Sequence, residues 1–227
     1  MKNILIIGGS GAIGLALINE YDENDVHITI TSRKKLDLCP KIKQIIYDYD
    51  HHHEVDLTED IKFDQIIFAT GHLHNSQYKP EKSLKEVEKD AMQFSYHINC
   101  ISPLILLNQL SNNLTEQTKI VFLSARVGSI SENELGGWYA YRMSKAALNM
   151  MIKNLSIELK RKYKNIIVCG IHPGTVESKL SKPFSKYVKH EIFSPSKSAS
   201  LIKKVIDELT IEYSGKVYDY NFKEIAN

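Results

Sequence analysis

The chain has 227 residues, a length that fits one α/β domain, and we expect a single domain over residues 1–227. Its net charge is +2 with acidic and basic residues interspersed, and no apolar run approaches the ~18–20 residues of a membrane span, so we expect a small-molecule partner and neither nucleic acid nor membrane. Three widely spaced cysteines argue against a disulfide framework and predict reduced thiols in a cytoplasmic protein.

A short strand followed by a glycine-rich turn opens the chain. Ile4-Leu5-Ile6-Ile7 is a continuous apolar run, typical of a parallel strand covered on both faces. The glycine turn that follows leads into a helix, which is the context that a dinucleotide-binding fingerprint requires. Glycines let the backbone approach a pyrophosphate, and the helix N-terminus offers free amides. The predicted cofactor-binding residues are Gly8, Ser10, Gly11, Ala12, Ile13 and Gly14.

The second predicted strand, Val26 to Thr31, ends in the basic run Ser32-Arg33-Lys34-Lys35. In dinucleotide-binding folds an acid at this strand end holds the ribose 2′-hydroxyl, whereas an arginine accommodates a 2′-phosphate. We therefore predict NADP over NAD, with Arg33 as the discriminating residue; the alternative is that the basic run is only a solvated turn. A third strand is expected to end near Val55-Asp56-Leu57, with Asp56 as a candidate to touch the adenine and Leu57 also assigned to the cofactor site.

Three consecutive histidines, His51-His52-His53, precede that predicted strand end. Neighbouring side chains of an extended segment point to opposite faces, so the three cannot converge on one metal ion. We predict a polar loop or strand edge and no metal site.

The middle of the chain alternates strands and helices. A fourth strand, Ile66 to Ala69, ends in Thr70-Gly71, and small residues there leave room for the cofactor, so we assign Ala69, Thr70 and Gly71 to its site. Residues 85–114 are predicted to be mainly helical, with Asn99 four residues before Pro103. A proline frees carbonyl groups within a helix, so Asn99 is either at an irregular turn that holds water or an ordinary polar helix residue.

A candidate acid/base pair lies on a later helix. Ser124 follows the apolar strand Lys119 to Leu123, and a hydroxyl at that strand end can donate a hydrogen bond to a substrate oxygen; it can also be a simple turn residue. Tyr141 and Lys145 are one helical turn apart, so a fixed ammonium favours the phenolate and makes Tyr141 a candidate general acid/base. Tyr139 lies six positions before the lysine, on another side of the helix.

The last third of the chain completes the predicted sheet. A strand within residues 165–171 runs into Pro173-Gly174-Thr175-Val176, a rigid turn that can cup the nicotinamide. Residues 175–194 have little apolar period and are predicted to form the substrate loop. A helix over residues 195–209 and a strand over 216–220 complete an α/β fold with a doubly wound parallel sheet, the Rossmann fold.

Together these motifs resemble the short-chain dehydrogenase/reductase family over essentially the whole chain. Tyr141 and Lys145 match its Y-x-x-x-K, Ser124 its strand-end serine, Asn99 its helix asparagine, and Pro173-Gly174 its P-G turn. Longer strings, Leu123 to Ile130, Gly136 to Tyr139 and His172 to Val176, are similar to the C-factor-like branch. Two features depart from the family pattern: Ala12 replaces the middle glycine of the fingerprint, and Phe68-Ala69-Thr70-Gly71 replaces the N-N-A-G segment and its bracing hydrogen bonds.

The resemblance implies an NADP-dependent oxidoreductase in which Asn99, Ser124, Tyr141 and Lys145 are catalytic. Tyr141 would exchange a proton with the substrate oxygen, Ser124 would hold that oxygen, Lys145 would lower the pKa of the phenol and bind the nicotinamide ribose, and Asn99 would position a water. It also implies a homodimer or homotetramer. The alternatives are a dinucleotide-binding sensor with little turnover, and an epimerase or lyase that uses the cofactor transiently.

Overall fold

The computed structural model describes residues 1–22, 25–50, 61–187 and 191–227. Its strands are β1 (Lys2–Ile7), β2 (Val26–Ser32), β3 (Lys43–Ile46), β4 (Gln65–Phe68), β5 (Lys119–Leu123), β6 (Ile167–His172), β7 (Thr175–Val176), β8 (Ile192–Phe193) and β9 (Val217–Asp219). Seven of them form one parallel sheet in the order β3-β2-β1-β4-β5-β6-β9, while β7 and β8 pair separately. The first and last strands of the chain therefore belong to the same sheet.

Five α-helices accompany the strands: α1 (Ala12–Glu20), α2 (Lys89–Tyr96), α3 (Ser102–Gln109), α4 (Tyr139–Lys162) and α5 (Pro195–Glu208). A π-helical turn, His97–Ile101, joins α2 to α3. Short 3-10 turns lie at Leu84–Glu86, Leu110–Asn113, Arg126–Gly128, Lys182–Tyr187 and Ile211–Tyr213. None of the helices in the described ranges has the length and apolar character needed to cross a bilayer.

The helices cover both faces of the sheet because the strands are apolar on both sides. Along β1, Ile4 and Ile6 belong to the core that includes Ile202 of α5, whereas Leu5 and Ile7 belong to the core that includes Leu148 of α4. Alternate residues of a strand point to opposite faces, so a continuous apolar run supplies both cores. This arrangement confirms the predicted doubly wound Rossmann fold.

The strand order reverses at β1, and this reversal positions the candidate site. Chain order runs outward from β1 through β2 and β3 on one side, and from β1 through β4 and β5 on the other. In open parallel sheets, ligands bind in the crevice at the carboxyl ends of the strands where the order reverses. The glycine turn after β1 and Ala69-Thr70-Gly71 after β4 both lie at that edge.

The predicted position of the third strand was wrong. The edge of the sheet is formed by Lys43–Ile46, which pairs with β2 and ends well before residues 55–57. Its polar residues Lys43 and Gln44 interrupt the apolar pattern, so the strand gave little sequence signal. Asp56, Leu57 and the three histidines lie outside the described residues, and their predicted roles stay predictions.

The segment predicted to be the substrate loop contains more regular structure than its sequence suggested. Its two ends pair as the parallel strands β7 and β8, with Thr175 opposite Ile192 and Val176 opposite Phe193. A 3-10 turn, Lys182–Tyr187, lies between them. The pairing therefore closes the base of the loop.

Candidate active site

The glycine turn after β1 has the geometry of a phosphate-binding cradle. Gly8 adopts φ +85°, and a Cβ on Gly14 would lie 2.3 Å from the carbonyl oxygen of Gly8. Only glycine fits either position without strain. Gly11 is the N-cap of α1 and provides no side-chain cap, while Ala12 is the first residue of the helix. The turn can therefore present first-turn amides to an anion, as a dinucleotide pyrophosphate requires.

Thr70 occupies the floor of this cradle. A Cβ on Gly8 would lie 2.7 Å from the Thr70 methyl group, so the two segments touch. The Thr70 hydroxyl shares a 3.0 Å hydrogen bond with the buried hydroxyl of Tyr49. This bond ties β4 to the segment after β3, and it provides a brace where the family's asparagines are missing.

Three exposed cations follow β2 beside the cradle. Arg33, Lys34 and Lys35 are all exposed, and the Ser32 hydroxyl donates to the Lys34 carbonyl at 2.6 Å, which orders the turn. Among the described residues, no acidic side chain forms an ion pair with these three cations. Their donors are thus available to a ligand anion.

Asn99 lies within the π-helical turn, so the irregular alternative of the sequence prediction is the one observed. Its side chain is 2 % exposed, accepts a hydrogen bond from the His72 amide at 2.7 Å, and donates to the His72 carbonyl at 2.9 Å. It also donates to the Ser144 hydroxyl at 2.9 Å. Asn99 therefore links the loop after β4 to α4, and π-turns of this kind are frequent at functional sites.

Lys145 is buried against the ends of two strands. Its ammonium donates a 2.8 Å hydrogen bond to the Leu123 carbonyl at the end of β5. A Cβ on Gly71 would lie 3.7 Å from both Lys145 Nζ and Asn99 Oδ1, so these polar atoms converge on the end of β4. Gly128 packs directly on the Lys145 backbone, where a Cβ would meet atoms at 2.9 Å. Burial lowers the pKa of Lys145 to about 8, with Cys100 opposing the shift.

The pKa of Tyr141 differs from the sequence expectation. Burial raises it to about 12, whereas the sequence predicted that Lys145 would lower it. The Lys145 ammonium donates its hydrogen bond to the Leu123 carbonyl. Tyr141 is therefore protonated at neutral pH, the form that can donate a proton.

Ser124 has a hydrogen-bond partner on α4 for its hydroxyl. Its side chain is 3 % exposed, and its hydroxyl donates a 2.6 Å hydrogen bond to Oδ1 of Asn149 on α4. A serine hydroxyl has one hydrogen to donate, so this contact competes with a hydrogen bond to a substrate oxygen. Asn149 was not singled out in the sequence, because a polar residue in a helix carries no motif.

The P-G turn after β6 has a glycine in the left-handed region and is tied to α5. Gly174 adopts φ +79°, and a Cβ there would lie 2.7 Å from the Phe193 ring. The Pro173 carbonyl accepts a 2.8 Å hydrogen bond from the Ser198 hydroxyl of α5. The turn thus carries Thr175 and Val176 into β7 at the same edge of the sheet as Tyr141 and the cradle.

Two further residues at this edge were missed by sequence reasoning. Glu81 is 2 % exposed, and both of its carboxylate oxygens lie 3.3 Å from the Ala140 amide at the start of α4. Asp219 pairs with Arg126 at 2.9 Å and thereby fixes the turn that follows Ser124. Neither stands in a recognisable motif, since each acts through a partner distant in sequence.

Comparison with known proteins agrees with this geometry. A family model described as short chain dehydrogenase matches residues 2–189. The chain is 30% identical over 145 residues to C-signal of Myxococcus xanthus, covering 63% of this chain and 82% of that protein. It is 34% identical over 130 residues to 1-hydroxy-2-glutathionyl-2-methyl-3-butene dehydrogenase of Rhodococcus sp. (strain AD45), covering 57% of this chain and 56% of that protein.

Solved structures share the fold at lower identity. Carbonyl reductase Sniffer of D. melanogaster superposes with a TM-score of 0.82 at 20% identity over 100% of both chains. The NADPH-bound carbonyl reductase from chicken fatty liver has a TM-score of 0.80 at 19% identity, covering 100% of this chain and 94% of that one. At 19–20% identity, these two structures show that the chain shares their fold.

Proposed function

This chain belongs to the short-chain dehydrogenase family, whose members are NAD(P)-dependent oxidoreductases acting on CH–OH and C=O groups, and we propose that it uses NADP with Tyr141 as general acid/base. The observation that carries the proposal is the convergence of Asn99 Oδ1 and Lys145 Nζ at Gly71, which follows β4. Lys145 is on the same helix as Tyr141. A bare binding module has no need for this polar cluster at the nicotinamide end of the crevice.

The cradle residues and the P-G turn would hold the dinucleotide, which supplies a hydride to the carbonyl carbon when bound. Tyr141 gives its phenolic proton to the carbonyl oxygen, so that the carbonyl becomes an alcohol. Lys145 holds a positive charge near the developing phenolate and would contact the nicotinamide ribose. Asn99 fixes the backbone of His72 and, through Ser144, the helix of Tyr141. Alcohol oxidation uses the same groups in reverse.

Ser124 has a positioning role in this proposal. Its hydroxyl is donated to Asn149, one helical turn beyond Lys145 on α4. Together with the bond from Lys145 to the Leu123 carbonyl, this contact fixes α4 against the end of β5. The substrate oxygen would then depend mainly on Tyr141 for a hydrogen bond.

We place the 2′-phosphate of NADP at the basic run after β2. Arg33, Lys34 and Lys35 are exposed at the strand end where an acid would select NAD. Guanidinium binds phosphate through parallel, charge-assisted hydrogen bonds. Arg33 is therefore the proposed discriminating residue.

We propose a homodimer or homotetramer built on α3 and α4. Large apolar side chains are exposed on both helices: Leu104, Ile105, Met143, Met150 and Ile157. An exposed apolar face of this kind is typical of a protein interface. We also place the protein in the cytoplasm, because Cys39, Cys100 and Cys169 are all free thiols.

The test is a panel of aldehydes, ketones and alcohols assayed with NADPH, NADP, NADH and NAD. We expect turnover with at least one carbonyl class and a preference for NADPH in kcat/KM. A second candidate function, a dinucleotide-binding sensor with little turnover, is favoured by the similarity to C-signal. Tight NADPH binding without turnover on any compound would support the sensor and contradict the enzyme.

A further inference from the structure

Three aromatic side chains from separate segments form a row of ring contacts that begins at Tyr141. The indole of Trp138 lies 6.3 Å from the Tyr141 ring and 5.1 Å from the Phe184 ring, centroid to centroid. Phe184 in turn lies 5.4 Å from the His74 ring, which approaches edge-on. We call Trp138, Phe184 and His74 the aromatic arch. It joins the loop after β4, the start of α4 and the loop between β7 and β8.

Trp138 is held in this position at a conformational cost. It adopts φ +50°, in the left-handed region that a bulky residue rarely enters, and such strain costs about 1–3 kcal/mol. Its amide donates to the Glu81 carbonyl, and its carbonyl accepts from the Arg142 amide at 2.8 Å. The buried Glu81 carboxylate also contacts the Ala140 amide. The surrounding structure thus fixes the indole beside Tyr141 against its own backbone preference.

The opposite side of the arch is also fixed. His74 Nε2 donates a 3.1 Å hydrogen bond to the Leu180 carbonyl, which anchors the 3-10 turn that carries Phe184. Trp138, Phe184 and His74 are each only partly buried, so part of each ring surface is open to a ligand. The Arg142 guanidinium on α4 donates to the carbonyls of Gly136 and Val127.

We propose that the arch is the substrate subsite, and that it binds an aromatic ring attached to the reacting carbonyl. This inference rests on the proposed function. Aromatic rings attract one another in offset or edge-to-face contacts. The indole and the phenyl ring already contact each other, with centroids 5.1 Å apart, so a substrate ring would pack against the exposed parts of these rings and not between them. Trp138 and Phe184 are then specificity-determining residues.

The test compares aryl aldehydes and ketones with straight-chain aldehydes of equal carbon number. We expect kcat/KM of the wild type to favour the aryl series, and Trp138→Asn or Phe184→Leu to lower it for that series by about tenfold. Asparagine tolerates the left-handed backbone, so the first variant removes the ring without adding strain. Tyr163→Leu, at the opposite end of α4, is the matched control and should leave the ratio of the two series unchanged.

A binding readout separates this inference from the proposed function. Trp138 is the single tryptophan of the chain, so quenching of its fluorescence reports an aromatic ligand directly. An aryl carbonyl should quench it saturably with NADPH present, and Phe184→Leu should weaken that binding. Equal turnover of both series, or equal losses in both, would overturn the arch as a subsite while leaving the oxidoreductase intact. No turnover of any carbonyl would instead contradict the proposed function.

Discussion

The hydroxyl of Ser124 donates to Asn149 Oδ1 at 2.6 Å, immediately beside the 2.8 Å bond from Lys145 to the Leu123 carbonyl. Lys145 and Asn149 are four residues apart on α4, and Leu123 and Ser124 are consecutive at the end of β5. Two neighbouring bonds therefore fix the same face of the helix to the same strand end. A small displacement of α4 would break both, so the position of Tyr141 depends on them.

This relationship predicts that Ser124→Ala and Asn149→Ala both destabilise the protein, and Asn149→Ala the more. Ser124→Ala leaves the partly exposed Asn149 amide to water and should lose about 0.5–1.5 kcal/mol of unfolding free energy, whereas Asn149→Ala leaves the buried Ser124 hydroxyl unpaired and should lose about 1–3 kcal/mol. The double variant should lose less unfolding free energy than the sum of the two single losses, because both substitutions remove the same hydrogen bond. Urea unfolding and kcat/KM on the same four proteins measure this. A large loss of kcat in Ser124→Ala alone would show that the serine binds the substrate oxygen.

Arg33→Ala should weaken NADPH binding and leave NADH binding nearly unchanged. Loss of a charge-assisted phosphate contact costs about 1.5–3 kcal/mol, which corresponds to roughly a 10- to 100-fold change in the ratio of the two Kd values. Fluorescence titration with both cofactors gives that ratio. Lys160→Ala, an exposed cation on α4, is the control. An unchanged ratio in Arg33→Ala would remove the basic run from the cofactor site.

Gly14→Ala and Gly11→Ala form a matched pair within the cradle. The added methyl group at position 14 would lie 2.3 Å from the Gly8 carbonyl oxygen, whereas at position 11 it would lie at 3.4 Å, an ordinary contact. We expect Gly14→Ala to lose about 1–3 kcal/mol of stability through overpacking, and Gly11→Ala less than about 1 kcal/mol. Thermal and urea unfolding measure both. Equal losses would contradict the close packing of helix α1 on the turn.

His72 should make the protein less stable in acid. Burial, with a smaller contribution from His74, lowers the pKa of His72 from 6.5 to about 4. As pH falls from 6.5 towards 4, the unfolded state takes up a proton that the folded state refuses, so stability decreases through that window and levels off below it. The loss is at most about 3 kcal/mol.

His72→Leu should reduce this acid sensitivity, since leucine does not titrate and the backbone bonds to Asn99 remain. Urea unfolding at about pH 7.5 and about pH 5 measures the difference in wild type and variant. His27→Gln, an exposed histidine, is the control. An identical loss of stability in wild type and His72→Leu would assign the acid sensitivity to other groups.

The strands and the motif residues were predictable from sequence because their signals are local. The apolar runs of β1, β4 and β5 and the spacing of Tyr141 and Lys145 need no information from distant segments. The sequence could not decide whether Asn99 lies at an irregular turn or in a regular helix, because a proline four residues later is compatible with both. The structure answers this question with the π-turn and the bonds to His72.

The contacts that orient the motif residues were not predictable. Ser124 and Asn149 are 25 residues apart, and Glu81 and Ala140 are 59 apart. The pKa of Tyr141 was predicted in the wrong direction for a related reason. Helical spacing places the lysine nearby, but burial of the phenol, which raises its pKa, decides the outcome. Such effects belong to tertiary packing.

The central claim is that Tyr141 gives the proton to the substrate oxygen, and Tyr141→Phe tests it most directly. The variant keeps the ring beside Trp138 and removes only the hydroxyl. With a carbonyl that the wild type reduces, we expect kcat to fall by about 10²–10⁴-fold, as for loss of a general acid. NADPH binding, followed by fluorescence of Trp138, should stay within about twofold of wild type, since a 0.4 kcal/mol change is about twofold. Full turnover by Tyr141→Phe, with the cofactor bound normally, would contradict the account.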